Sequence, residues 1–359
     1  MKTATAVAPA KLILMGEHAV VYRRPALTAA IDLWLRVTMT PRRESGVGLH
    51  LAELNHREVT DWASIRTYAD TVRDRWHRYV EHPTPEAFAH MRGDDPAHLV
   101  KVALGEAERR LPDAEAPAVT VAVRTQQPIG AGFGSSAAVA VAIVQAYLAA
   151  QEAEASDEVL RELVLDVERR QHGTPSGVDP ETVRRGGLVW AERTENALDY
   201  CSVTPRSPVL DGFRVLHTGR PAESTGTVVD AVRAHRDDDP ETFEARLNRM
   251  EAATRTLRTV LTQKAAHRDE TLRVVREVEA ELEALGVVPE PVQRIVRAVE
   301  ERGGAAKISG AGALSGSRAG PLLVYHPDPE VDLGAEFESL TEMNVRLGAE
   351  GAHVEREGG

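Results

Sequence analysis

The chain has 359 residues, 42% of them hydrophobic, with 43 Lys and Arg against 55 Asp and Glu and a formal net charge of −12. That length suits about two domains with sizeable cores. The acidic balance argues against general nucleic-acid or anionic-membrane binding, although a local basic pocket could still hold phosphates. A single cysteine, Cys201, excludes an intrachain disulfide and suits a reducing cytosol. No apolar stretch approaches a membrane span and no signal peptide is evident, so a cytoplasmic protein is expected.

In chain order, the first ~40 residues hold short Val-, Ile-, Leu- and Thr-rich runs broken by Pro and Gly, which read as strands. Residues Arg42 to about Pro96 are polar and irregular, with a helix expected around Tyr68–Tyr79. Helical spacing returns over Ala97–Leu111, and Ala116–Thr125 alternates as a strand. A helix is expected near Asp157–Arg170, then a turn over His172–Pro180 and the apolar piece "GGLVWAER". Turn signals in "NALDYCSVTPRSPVLDG" make it the candidate boundary between domains 1–200 and 201–359. Beyond it come the strand "FRVLHTG" and amphipathic helices over roughly Asp239–Gln263, Arg268–Leu285 and Pro291–Arg302. The stretch "AAKISGAGALSGSRAGPLLVYHP" reads as strand, glycine turn and strand.

The most informative segment is "PIGAGFGSSAAVAVAIVQAYLAA", Pro128 to Ala150. Gly130, Gly132 and Gly134 let the backbone take φ > 0 and approach a ligand, and Ser135 or Ser136 can cap the helix that follows. A helix N-terminus presents unpaired N–H groups and positive dipole, so strand, glycine turn and alanine-rich helix make a phosphate cradle. No GKS or GKT follows, and no GxGxxG opens the helix, so it is neither of the two common phosphate loops. A tight turn that merely allows close packing would look the same. Two other stretches carry chemistry: "APAKLILMGEHAVVY" (Ala8–Tyr22) with Lys11, Glu17 and His18, and "ERRQHGTPSGVDPETVRRGG" (Glu168–Gly187) with Glu168 and Asp179. Taken singly, Lys11 reads as a snorkelling surface residue, Glu168 as a solvated helix charge and Asp179 as a helix cap.

Together and in this order, these motifs resemble the GHMP kinase family, from Ala8 to about Tyr325, with "KISGAG" (Lys307–Gly312) as the third motif. "GEHAVVY" with "HGTPSGVD" points to the members that phosphorylate mevalonate. The resemblance implies an α+β, two-domain fold: an N-terminal mixed-sheet domain with the phosphate loop and a C-terminal ferredoxin-like domain, with ATP and substrate in the cleft between them. It implies ATP bound by Gly130, Ala131, Gly132, Phe133, Gly134, Ser135, Ser136 and Ala137, and Mg²⁺ held by Ser136 and Glu168. It implies that Asp179 takes or orients the proton of the acceptor hydroxyl, with Lys11 paired to it. Glu17, His18 and Thr174 would join Lys11 and Asp179 in contacting the acceptor, and Ser176 would line the same turn. The implied partners are mevalonate and ATP, with a homodimer left open. The alternatives are a sibling kinase acting on phosphomevalonate, another hydroxyl of mevalonate or a sugar, or a catalytically silent protein of the same fold. A phosphomevalonate kinase should carry added basic residues, and no cluster of them is evident. Phe133 replaces a usual leucine, and "GAGALSGSRAG" departs from a glycine-rich third motif, leaving its contact with phosphates open.

Overall fold

In the computed structural model, which describes residues 1–111, 116–194, 198–328, 330–331 and 340–355, two sheets organise the chain. The elements are β1 (Ala4–Met15), β2 (Ala26–Pro41), β3 (Val47–Leu51), β4 (His56–Thr60), α1 (Trp62–Glu81), α2 (Pro85–Arg92), α3 (His98–Arg109), β5 (Val119–Thr125) and α4 (Ser135–Ala150). They continue with α5 (Asp157–His172), α6 (Val178–Arg185), β6 (Leu188–Arg193), β7 (Leu198–Val203), β8 (Phe213–His217), α7 (Thr225–Asp238), α8 (Pro240–Thr262), α9 (Arg268–Ala284) and α10 (Glu290–Glu301). The last four are β9 (Ala305–Ile308), β10 (Pro321–Tyr325), β11 (Thr341–Met343) and β12 (His353–Val354).

The first sheet runs β12-β1-β2-β5-β3-β4, with β6 also on β2 and β7 on β6. It is mixed, because β3 pairs parallel with β5 while β1–β2, β2–β5, β2–β6 and β3–β4 are antiparallel. The long β2 is its spine, pairing β1 along one edge and β6 then β5 along the other. Helix α4 packs on β1 and β2 and is covered in turn by α3, α5 and α6. That position explains its alanine-rich, largely apolar sequence: a helix covered on most sides has little polar face to show.

The second sheet has the order β11-β8-β10-β9, all antiparallel. Numbered along the chain this is 4-1-3-2, the ferredoxin-like order expected from the sequence, with α9 and α10 packed on β9. One continuous core joins β1 and β2 residues such as Leu12, Leu14 and Leu27 to Val215, Leu323 and the inner faces of α8 and α9. Among the described residues no helix is long and apolar enough to cross a membrane.

Three expectations change. Within Arg42 to Pro96, α1 covers the helix expected around Tyr68–Tyr79, and the rest, read as irregular, holds β3, β4 and α2. Strand β4, His-Arg-Glu-Val-Thr, lies at the sheet edge with alternately half-buried and exposed residues, so it has no apolar period to betray it. Helix α7 went unread; only Val228 and Val232 of it are buried, and Ser224 caps it by accepting from Thr227 N. The stretch taken as a boundary contains β7, paired with β6 in the first sheet, and the chain's β12 also returns there. The division of strands between sheets therefore does not follow one cut in the sequence.

Candidate active site

The glycine segment leaves β5 and enters α4 through Gly134, whose φ of 73° and ψ of 28° place it in the left-handed region. A serine cap was expected here, but Gly134 is the capping position and no side chain caps the helix. A capping serine must sit before the first helical residue with extended backbone, and Ser135 and Ser136 already form the first turn. The leading N–H groups of α4 are thus left open to an anion. Gly134 is also required sterically: a Cβ there would lie 2.6 Å from Lys11 Cγ. The Lys11 stem crosses the glycine, and Lys11 N donates to Phe133 O at 2.9 Å, which fastens the loop to β1. Within the loop, Ala131 and Phe133 are buried while Gly130 and Gly132 face out. The Phe133 ring meets His217 edge-on at 5.4 Å, so the departure from leucine is absorbed in the core.

Four of the expected residues converge in front of this helix end. Lys11 Nζ and Asp179 Oδ1 form an ion pair at 3.0 Å, with the lysine side chain 5% and the aspartate 35% exposed. Asp179 stands in the first turn of α6, after the His172–Gly177 turn. Glu168, one turn before the end of α5, is buried; its Oε1 has no hydrogen-bond partner. Burial pushes its carboxyl up to about 8, the Asp179 charge adds to that, and a hydrogen bond from Ser136 and the charge of Lys11 oppose it. Ser136 Oγ and His172 Nε2 share a hydrogen bond at 2.9 Å, and His172 Nε2 lies 3.8 Å from Glu168 Oε2. An unsatisfied buried carboxylate oxygen beside a hydroxyl at a phosphate-receptive helix end is a hard-oxygen donor set, and it fits Mg²⁺.

Of the three other residues expected at the acceptor, Glu17 and His18 are buried and Thr174 is exposed. Glu17 is 1% exposed and its Oε1 accepts from Lys307 Nζ, while its Oε2 has no partner. His18, in the left-handed region at φ 56°, is buried and donates Nε2–H to Ala311 O at 3.0 Å. Burial holds that imidazole down at about 4, so it is neutral rather than a cation for a carboxylate. Thr174 is exposed at the turn, while the Ser176 hydroxyl accepts from Val178 N. The third motif serves as a fastening: Ser309 Oγ accepts from Ile13 N at 2.9 Å and donates to Ile13 O at 3.0 Å. It thereby joins the hairpin of β9 and β10 to β1.

Sequence reasoning missed His172, Lys307 and an arginine group. The Arg220 guanidinium lies against Gly130, where a Cβ would be 3.1 Å from its Cζ. Burial and the neighbouring Arg220 charge pull the Arg92 guanidinium below its ordinary value. The stem of Arg318 lies against Gly219. These residues come from α2, the turn after β8 and the β9–β10 loop, so no spacing announces them. His172 was legible as the residue four after Glu168 on the same helix face.

A glycine loop feeding an uncapped helix, a lysine–aspartate pair and an unsatisfied carboxylate, set between a mixed sheet and a ferredoxin-like one, fit a small-molecule kinase. Residues 98–183 match the GHMP kinases N-terminal domain. Over nearly its whole length it is similar to mevalonate kinases. It is 28% identical over 356 residues to that of Pyrococcus abyssi, covering 98% of this chain and 97% of that protein. It is 29% identical over 356 residues to that of Thermococcus onnurineus, covering 98% of each. The crystal structure of the Methanococcus jannaschii mevalonate kinase shares its fold with a TM-score of 0.74 at 19% identity, over 96% of this chain and 98% of that one.

Proposed function

We propose that this protein transfers the γ-phosphoryl group of ATP to the 5-hydroxyl of mevalonate, giving 5-phosphomevalonate and ADP. The observation that carries the reading is the Lys11–Asp179 ion pair at 3.0 Å beside the open N-terminus of α4. Its support is the full-length similarity to mevalonate kinases.

Phosphoryl transfer asks a protein mainly for positioning and charge neutralisation. The N–H groups of Gly134–Ala137 receive the phosphates, and Arg220 adds positive charge at Gly130. Ser136 and Glu168 would hold Mg²⁺, which when bound neutralises charge on the phosphate oxygens. Asp179 accepts the proton of the acceptor hydroxyl as its oxygen bonds to phosphorus, the bond from the γ-phosphorus to the bridging oxygen breaks, and ADP leaves. Lys11 faces both the aspartate and the charge that develops on the transferring group. His18 ties the Gly16–His18 turn to the third glycine loop.

A coupled ADP-release assay over mevalonate, phosphomevalonate, galactose and homoserine tests the reading. Mevalonate is expected to lead by at least ~10²-fold in kcat/KM, the scale on which unpaired polar groups discriminate. A better rate on phosphomevalonate or a sugar would keep the kinase and change the acceptor.

A further inference from the structure

Ser136 and Glu168 are brought together from α4 and α5, and a third side chain stands beside both. His172 is the last residue of α5, four residues beyond Glu168 on the same helix face. Its Nε2 lies 2.9 Å from Ser136 Oγ and 3.8 Å from Glu168 Oε2. The end of that helix is held from α1. Trp76 Nε1 donates to Gly173 O at 2.8 Å, and the Tyr79 ring packs on Gly173 so closely that a Cβ would not fit. Gly173 N in turn donates to Arg169 O at 2.8 Å, which closes the last turn of α5. The imidazole therefore reaches Ser136 from a braced helix end.

A serine hydroxyl offers one proton and two lone pairs. Two side chains are in reach of the Ser136 proton: Glu168, which receives a hydrogen bond from Ser136, and His172. A cation on the hydroxyl oxygen repels that proton, which must point away from it and toward an acceptor that is not itself a ligand. Among the described residues, His172 Nε2 is the other side-chain atom within hydrogen-bond distance of Ser136 Oγ. We infer that His172 is a positioning residue for the metal site: its Nε2 accepts the Ser136 proton, with the ring's own proton on Nδ1, and so turns a lone pair of Oγ to the cation. This rests on the proposed roles of Ser136 and Glu168 as ligands to Mg²⁺.

The test compares His172→Leu, which leaves no acceptor, with His172→Gln, whose amide oxygen can take the place of Nε2. Ser136→Ala and the double variant Ser136→Ala with His172→Leu complete the set. Affinity for Mn²⁺ in the complex with ADP is read by water-proton relaxation, beside thermal melting. The expected result is a cooperative melt with Mn²⁺ held about tenfold or more weakly in His172→Leu, the scale on which partners behind metal ligands act. His172→Gln should stay within about threefold of wild type, and His172→Leu should add no loss to that of Ser136→Ala, because the hydroxyl it serves is gone. Wild-type Mn²⁺ affinity in His172→Leu overturns the inference. So does an equal loss in the leucine and glutamine variants, or a full leucine effect in the Ser136→Ala background. Should the leucine variant not fold, His172→Gln against His172→Asn decides: affinity kept by glutamine and lost by the shorter asparagine supports the assignment, and equal affinity overturns it. If Ser136→Ala weakens Mn²⁺ binding while His172→Leu does not, the metal site stands and this assignment falls. If Ser136→Ala binds Mn²⁺ as wild type does, the metal reading falls and the inference with it.

Discussion

Lys11 and Asp179 meet at 3.0 Å across the front of α4, the lysine buried with its stem against Gly134 and the carboxylate left one-third exposed. One partner is held and the other can be reached, which is the asymmetry a base beside a fixed cation needs. Asp179→Asn keeps the shape and removes the proton acceptor. It should lower kcat by about 10²-fold or more with little change in KM for ATP, since the group acts in the transition state rather than on the bound nucleotide. Steady-state kinetics with each substrate varied in turn checks this, and wild-type turnover would reduce Asp179 to a first-turn helix residue.

Glu168 carries the unsatisfied oxygen of the site. Glu168→Gln retains volume and one acceptor oxygen but not the charge, and a hard divalent cation held by few protein oxygens depends on that charge. Turnover should fall severely, and the Mg²⁺ concentration for half-maximal rate should rise. Water-proton relaxation with Mn²⁺ as the probe should show weaker binding to the nucleotide complex. Unchanged Mn²⁺ affinity would take Glu168 out of the metal site.

At Gly134 two demands coincide, a φ of +73° and the passage of the Lys11 stem. Gly134→Ala would bring a methyl group to 2.6 Å from Lys11 Cγ, and the stem would have to move. The left-handed backbone adds a cost on the order of 1–3 kcal/mol for a non-glycine residue. We expect a lower melting temperature together with a kcat loss, because the displaced lysine is the one facing Asp179. A variant with normal kcat would mean the loop yields without disturbing Lys11.

The loop and the Lys11, Glu168 and Asp179 residues were legible because each sits in a contiguous motif whose residue types announce chemistry: glycines before a helix, a carboxylate before a turn. Their convergence was not, since β1, α4, α5 and α6 meet only through the packing of the first sheet. The burial of Glu17 and His18 was hidden for the same reason. Their motif showed polar residues near a pocket, but their partners Lys307 and Ala311 lie on the far side of the chain and draw them inward. The core of the fold was readable wherever an apolar period exists, as in α8 and α9. It was invisible at β4 and α7, where edge position or a nearly bare surface leaves few apolar residues to count.

Arg220 lies on the outer side of the glycine loop, its guanidinium against Gly130. A guanidinium at that place pairs with phosphate oxygens through charge-assisted hydrogen bonds. Arg220→Gln should therefore raise KM for ATP several-fold more than KM for mevalonate, and the wild-type preference for ATP should weaken as salt is added. Isothermal titration with a non-hydrolysable ATP analogue at two ionic strengths would test it. Equal effects on both substrates would place Arg220 outside the nucleotide side.

Glu279 offers a stability test that leaves the catalytic groups untouched. Its carboxyl is pushed up to about 8 by burial in the fold, against an ordinary value of 4.5 in the open chain. Between those values the folded state holds a proton that the unfolded state has released. Its contribution is therefore complete below about pH 4.5 and drains away as pH rises toward 8, at up to about 1.4 kcal/mol per pH unit. Glu279→Gln keeps an acceptor for Ile308 N and cannot ionise. The difference in unfolding free energy between wild type and variant should thus shift against wild type as pH goes from 5.5 to 7.5, with wild type losing relative ground. The histidines His18 and His98, both held down at about 4, work in the opposite sense below pH 6.5, where the unfolded chain takes up protons that the fold refuses. Because they are common to both proteins, they cancel in the difference. Urea unfolding of the two proteins at several pH values gives the slope directly, and a pH-independent difference would show that Glu279 is ionised in the fold across this range.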